Sequence, residues 1–91
     1  MRDESRLLRF YIRLTPRQRE VLQLVSIGMS NREAAARLFV APSVVAGHLT
    51  NIYGEMACVE GLPVAQPNRY VVVRLFGDFF ERYPELDNFV G

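Results

Sequence analysis

Few side chains in this sequence could do chemistry. There is one histidine, His48, and one cysteine, Cys58, and no glycine-rich phosphate loop. No two carboxylates stand at a spacing that would set up general acid–base work. A lone cysteine closes neither an internal disulfide nor a metal cluster, and nothing beside Cys58 would activate it as a nucleophile. These residues point away from an enzyme and imply no cofactor and no metal. What the chain offers instead is hydrogen bonding and arginine. Ser43, His48, Thr50 and Asn51 fall within one short stretch, and all 11 basic residues are Arg. Arginine favours bidentate contacts to phosphate or carboxylate, although a GC-rich genome is the simpler source of such a bias.

Charge is unevenly distributed. The formal net charge is +1 over 91 residues. Residues 1–37 carry eight Arg against four acids, residues 38–54 carry no Asp, Glu, Lys or Arg, and residues 55–91 carry three Arg against six acids. The chain is therefore basic at the front and acidic at the back. Its length fits one domain with a modest core. No apolar run approaches the ~18–20 residues of a membrane span, and the first residues do not read as a secretory signal. With a single cysteine, a cytoplasmic, reducing setting is the simplest expectation.

The elements that must position those groups read as five helices. In Asp3–Arg13, Leu7, Phe10, Tyr11 and Leu14 stand at i, i+3, i+4, i+7, an apolar helical face. Arg2, Arg6, Arg9 and Arg13 form a second stripe, whose plainer reading is a solvated face. Pro16–Ile27 opens with Thr15 as N-cap, Pro16 at the first position and Gln18 closing a capping box. Gly28 stops it. Asn31–Leu38 opens with Ser30 and Glu33 as a second capping box. Phe39–Ala41 makes a short turn, and the fourth helix runs from Pro42 to about Glu55. Its inward positions are Val44 or Val45, His48 or Leu49, Ile52 and Met56. Short helices joined by a tight turn give a helix-turn-helix pattern. Cys58–Gln66 reads as a loop, marked by Gly61 and Pro63. Pro67–Tyr83 reads as a fifth helix from its single polar stripe, Arg74, Asp78, Glu81 and Arg82. A strand over Tyr70–Phe76 is the competing reading, because that run is β-branched and aromatic.

These residues carry a resemblance. Leu14-Thr15-Pro16-Arg17-Gln18-Arg19-Glu20-Val21-Leu22, Gly28-Met29-Ser30-Asn31-Arg32-Glu33-Ala34-Ala35 and Arg37-Leu38-Phe39-Val40 look like the opening of the LuxR-type (GerE/FixJ-like) DNA-binding domain. His48-Leu49-Thr50-Asn51-Ile52-Tyr53 resembles its recognition helix, and Asn68-Arg69 resembles the pair that starts its last helix. The likeness implies an all-α, four-helix domain, here with an extra N-terminal helix and a lengthened last loop and helix. The implied organisation is one domain: a helical extension at 1–13, a helix-turn-helix core at 14–56, a loop at 57–66, and a last helix with tail at 67–91. The family reading further implies duplex DNA as partner, a reading helix at Pro42–Glu55 in the major groove, and homodimerisation through the last helix. With no receiver or ligand-binding domain in these residues, the module is expected to act constitutively or under a partner's control. No membrane or small-molecule partner is implied.

The reading helix departs from the family pattern. The family usually has Ser where Ala41 stands, Thr where Val44 stands, Lys where Ala46 stands, and basic residues where Gly54 and Glu55 stand. Losing a cap such as Ser costs about 1 kcal/mol, and Gly47 and Gly54 inside the helix cost about 1 kcal/mol each relative to Ala. Guanine readout by Arg or Lys is closed to this helix. Asn51 could bond adenine, Ser43 could bond phosphate, and His48 resembles a backbone-touching position. Asn31, Arg32, Ser43, Gly47, His48, Thr50 and Asn51 are the expected DNA contacts, with weak, salt-dependent binding. The competing expectation is a protein-binding adaptor or anti-activator that holds a transcription factor or polymerase subunit. It rests on the uncharged reading helix and on the apolar last helix. Val72, Leu75, Phe76, Phe79 and Phe80 exceed what one small core needs to cover, and a large exposed apolar patch marks an interface. The alternative is that the first helix and the loop fold over that patch.

Overall fold

Capping sets the helix boundaries. The computed structural model describes residues 2–58 and 67–83, with side chains from residue 6 onward. It contains α1 (Arg2–Arg13), α2 (Pro16–Ser26), α3 (Asn31–Leu38), α4 (Pro42–Cys58) and α5 (Arg69–Arg82). Thr15 Oγ1 accepts the Gln18 amide at 3.2 Å, and Gln18 Oε1 accepts the Thr15 amide at 3.0 Å. Ser30 and Glu33 exchange the same pair of bonds at 3.1 and 2.9 Å. Both expected capping boxes are therefore formed, each satisfying two otherwise orphaned donors. Hydrogen bonding to the Ser30 amide, and secondarily to the Ser30 side chain, holds the Glu33 carboxyl below its ordinary pKa of 4.5.

α2 and α3 end in the same way. The Met29 amide donates to Leu24 O and the Gly28 amide to Val25 O, at 3.2 and 3.0 Å. The Val40 amide donates to Ala35 O and the Phe39 amide to Ala36 O, at 3.0 and 3.4 Å. These are two Schellman turns. Each needs one residue at positive φ: Gly28 at 99° and Phe39 at 59°.

Two helix limits differ from the sequence reading. α4 continues to Cys58, past Glu55 and into the segment expected to be loop; Met56 is buried on the face already formed by Val45, Leu49 and Ile52. α5 starts at Arg69, because Asn68 caps it by accepting the Val71 amide at 3.1 Å. The rest of the expected loop, 59–66, and the tail 84–91 lie outside the described residues. The strand reading of Tyr70–Phe76 is replaced by helix.

The core is assembled from every helix. Leu7, Phe10, Tyr11 and Leu14 of the first face are buried, as are Val21, Leu22, Leu24 and Val25 of α2. Ala34 and Ala35 are buried between α3 and its neighbours, so the small residues seat α3 closely. The apolar patch expected on α5 is not a free surface. Val72, Phe76, Phe79 and Phe80 are buried in the chain's own core, and Leu75 is half-buried against it. The reason is α1. Phe10 meets Phe76 at 5.5 Å between ring centroids, and Tyr11 meets Phe79 and Phe80 at 6.0 and 5.6 Å. Such pairs contribute about 0.5–1.5 kcal/mol each beyond burial. α2 fixes α1 in place: Arg19 donates from Nε to Tyr11 O at 3.2 Å and from Nη2 to Ile12 O at 3.0 Å. Its guanidinium also lies 5.1 Å from the Tyr11 ring centroid. One side chain thus satisfies terminal carbonyls of α1 and covers its aromatic ring.

Candidate nucleic-acid interface

α4 buries Val45, Leu49, Ile52 and Met56, which turns the opposite face outward. That face carries Ser43, Val44, Gly47, Thr50, Asn51 and Gly54, all exposed. Five of the seven expected contact residues lie on this helix, and four of them share the exposed face. His48 is half-buried beside it. Thr50 is partly committed: its hydroxyl donates to Ala46 O at 3.1 Å, which leaves its oxygen as an acceptor only. The Asn51 amide makes no hydrogen bond among the described residues and keeps both donor and acceptor capacity. A Cβ built on Gly47 or Gly54 would meet nothing within 4 Å, so the chain's own packing does not require glycine at either position.

Asn31 and Arg32 sit apart, at the start of α3. Asn31 Oδ1 accepts a hydrogen bond from Arg69 Nη2, and Arg69 Nη1 donates to Met29 O at 2.6 Å. Arg69 therefore ties the start of α5 to the α2–α3 turn and fixes the Asn31 side chain. Its role as a positioning group was not legible as such; the Asn68-Arg69 pair was the only signal, and it said nothing of a partner 38 residues away. Tyr53 is close enough to feel the same cation. Burial pushes its phenol pKa up, and Arg69 partly opposes this.

The electrostatics refine the expected phosphate contacts. The amides of Ser30 and Glu33 are both used in the capping box, and the Glu33 carboxylate stands at the same helix start. The N-terminus of α3 is thus a poorer anion site than its dipole alone would make it. Arg17 pairs with Glu20 at 3.3 Å. Arg32 and Arg37 are exposed and make no ion pair among the described residues. Arg13 of α1 pairs with Glu55 of α4 at 3.2 Å, so the acid of α4 is neutralised from outside the helix. Cys58 is exposed at the end of α4. No group of His, Cys, Asp and Glu that could hold a metal occurs among the described residues. No helix among them is long and apolar enough to cross a membrane.

A capped short helix, a Schellman turn and a longer helix with one solvent-facing stripe define a helix-turn-helix protein. Residues 13–62, more than half the chain, match the family GerE, "Bacterial regulatory proteins, luxR family". The chain belongs to that family. It is 50% identical over 50 residues to a protein of Mycobacterium tuberculosis provisionally named an HTH-type transcriptional regulator, a match covering 55% of this chain and 5% of that protein. A protein of Mycobacterium bovis with the same kind of name is 51% identical over 43 residues, covering 47% of this chain and 5% of the relative. The chain thus spans about one twentieth of the length of these relatives. No solved structure matches it.

Proposed function

We propose that this chain is a DNA-binding transcriptional regulator whose α4 enters the major groove. The observation that carries this reading is the outward stripe of α4, which holds unengaged hydrogen-bonding groups on a helix of the luxR family's helix-turn-helix. On this reading Ser43, Gly47, His48, Thr50 and Asn51 face the duplex, and Arg32 and Arg37 supply phosphate contacts from α3. Asn31 supports them through its bond with Arg69. Dimerisation, if it accompanies binding, uses the exposed side of α5 around Tyr70 and Val73, since the aromatic side faces inward.

A second reading is kept alive by one feature. α4 has no Lys or Arg, which suits a surface that binds a transcription protein rather than a polyanion. Salt-dependent titration against duplex DNA separates the two. Neutralising phosphates releases condensed counterions, so affinity falls steeply with salt. Arg32→Ala and Arg37→Ala should each weaken binding across all sequences and reduce the salt slope by about 1. Failure to bind any duplex at low salt would leave the adaptor reading in possession.

A further inference from the structure

We infer that the α4 face anchors on adenine and thymine rather than on guanine, with Asn51 and Val44 as its specificity-determining residues. This rests on the DNA-binding reading above and sharpens it. Guanine is most often selected by a bidentate Arg or Lys on its O6 and N7, and α4 carries neither. Its one charged group, Glu55, is an acceptor already held by Arg13. The remaining polar groups are not equivalent. Thr50 has spent its proton on Ala46 O. Asn51 is exposed and can offer a donor and an acceptor together, the pattern that adenine N7 and N6 complement.

Val44 supplies the other half. It is 42% exposed on a helix that already has a complete buried face. A branched apolar side chain there has no role in the core, and its complement in the major groove is the thymine methyl. Val44 and Asn51 stand seven positions apart, two helical turns on one stripe. That places them about 10 Å apart along the axis, or roughly three base steps at about 3.4 Å each. The exposed stripe between them includes Gly47, which carries no side chain to hold the helix off the groove. Arg32 and Arg37 lie on α3, outside this stripe, and serve the backbone.

The test is a random-duplex selection at low salt with the whole chain, followed by replacing each thymine of the recovered motif with uracil. The uracil step removes a methyl from the DNA and leaves the protein intact. The expected motif is anchored on an adenine and a thymine about three steps apart, with no obligatory guanine. Uracil at the thymine facing Val44 should weaken binding about 2- to 4-fold, and Val44→Ala should abolish that difference. Asn51→Ala should lower preference for the adenine roughly 5- to 150-fold. A guanine-anchored motif, or indifference to uracil, overturns the inference while leaving DNA binding standing. Recovery of duplexes with no enriched motif overturns this inference alone, and recovery of no duplex at low salt overturns the DNA-binding reading and this inference with it.

Discussion

Phe39 occupies the position that Gly28 occupies one turn earlier in the chain, and the comparison isolates what a side chain costs there. Both residues close a Schellman turn at positive φ. Gly28 adopts it freely, whereas for an L-residue the left-handed region costs about 1–2 kcal/mol. Phe39 recovers little by packing, because it is 94% exposed. Phe39→Gly relieves the strain and adds back about 0.4–1 kcal/mol of unfolded-chain entropy. The net expectation is a gain of about 0.5–1 kcal/mol, read as a raised urea midpoint at unchanged slope. A lowered midpoint would show that the ring has a folded-state partner. The caps around this turn were legible because a capping box is a short pattern of residue types, Thr15 with Gln18 and Ser30 with Glu33. The strain at Phe39 was not, because no local pattern distinguishes an aromatic residue in a turn from one in a core.

At the scale of the element, α4 is a helix with two interior glycines that its fold does not use. Each costs about 1 kcal/mol relative to Ala, and a Cβ at either position meets open space. Gly47→Ala and Gly54→Ala should therefore each stabilise the domain by about 0.5–1 kcal/mol in thermal or urea melts. If α4 lies against the groove floor, Gly47→Ala should at the same time lower DNA affinity, since its new methyl stands on the contact stripe. Opposite signs for stability and affinity identify a contact position; equal signs place the helix elsewhere. The inward face of α4 was legible from 3.6 spacing because polar residues mark its other side, and the structure resolves the two open pairs to Val45 and Leu49. α5 shows the limit of that method. Nearly every position from Tyr70 to Phe80 is apolar, so periodicity locates the polar stripe but cannot say what covers the remainder. The answer lies nearly 70 residues away in sequence, in Phe10 and Tyr11. Arg69 with Asn31 and Arg13 with Glu55 were hidden for the same reason: each joins elements that no local pattern connects.

For the whole molecule, the consequence is that α1 is a wall of the core. Both α1, apart from its last residue, and α5 lie outside the residues that match the family, 13–62, and they pack on each other through five aromatic rings. α2 bridges them, holding the end of α1 through Arg19 while its own buried residues meet the same core. Removing the fully buried Phe10 ring should cost about 3–5 kcal/mol as Phe10→Ala, a large share of the ~5–15 kcal/mol that stabilises a domain. A chain starting at Leu14 removes more: it uncovers Phe76, Phe79 and Phe80, and it leaves Glu55 without Arg13. Such an apolar face must find another cover. The truncated chain is therefore expected to lose its cooperative thermal transition, or to self-associate with a concentration-dependent mass by light scattering. The unpaired Glu55 should also weaken any DNA binding that survives, and Glu55→Gln in the truncated background should restore part of it. A monomer from residue 14 onward that melts as the full chain does would mean α1 is an appendage, and that the aromatic contacts contribute nothing the rest of the core cannot supply.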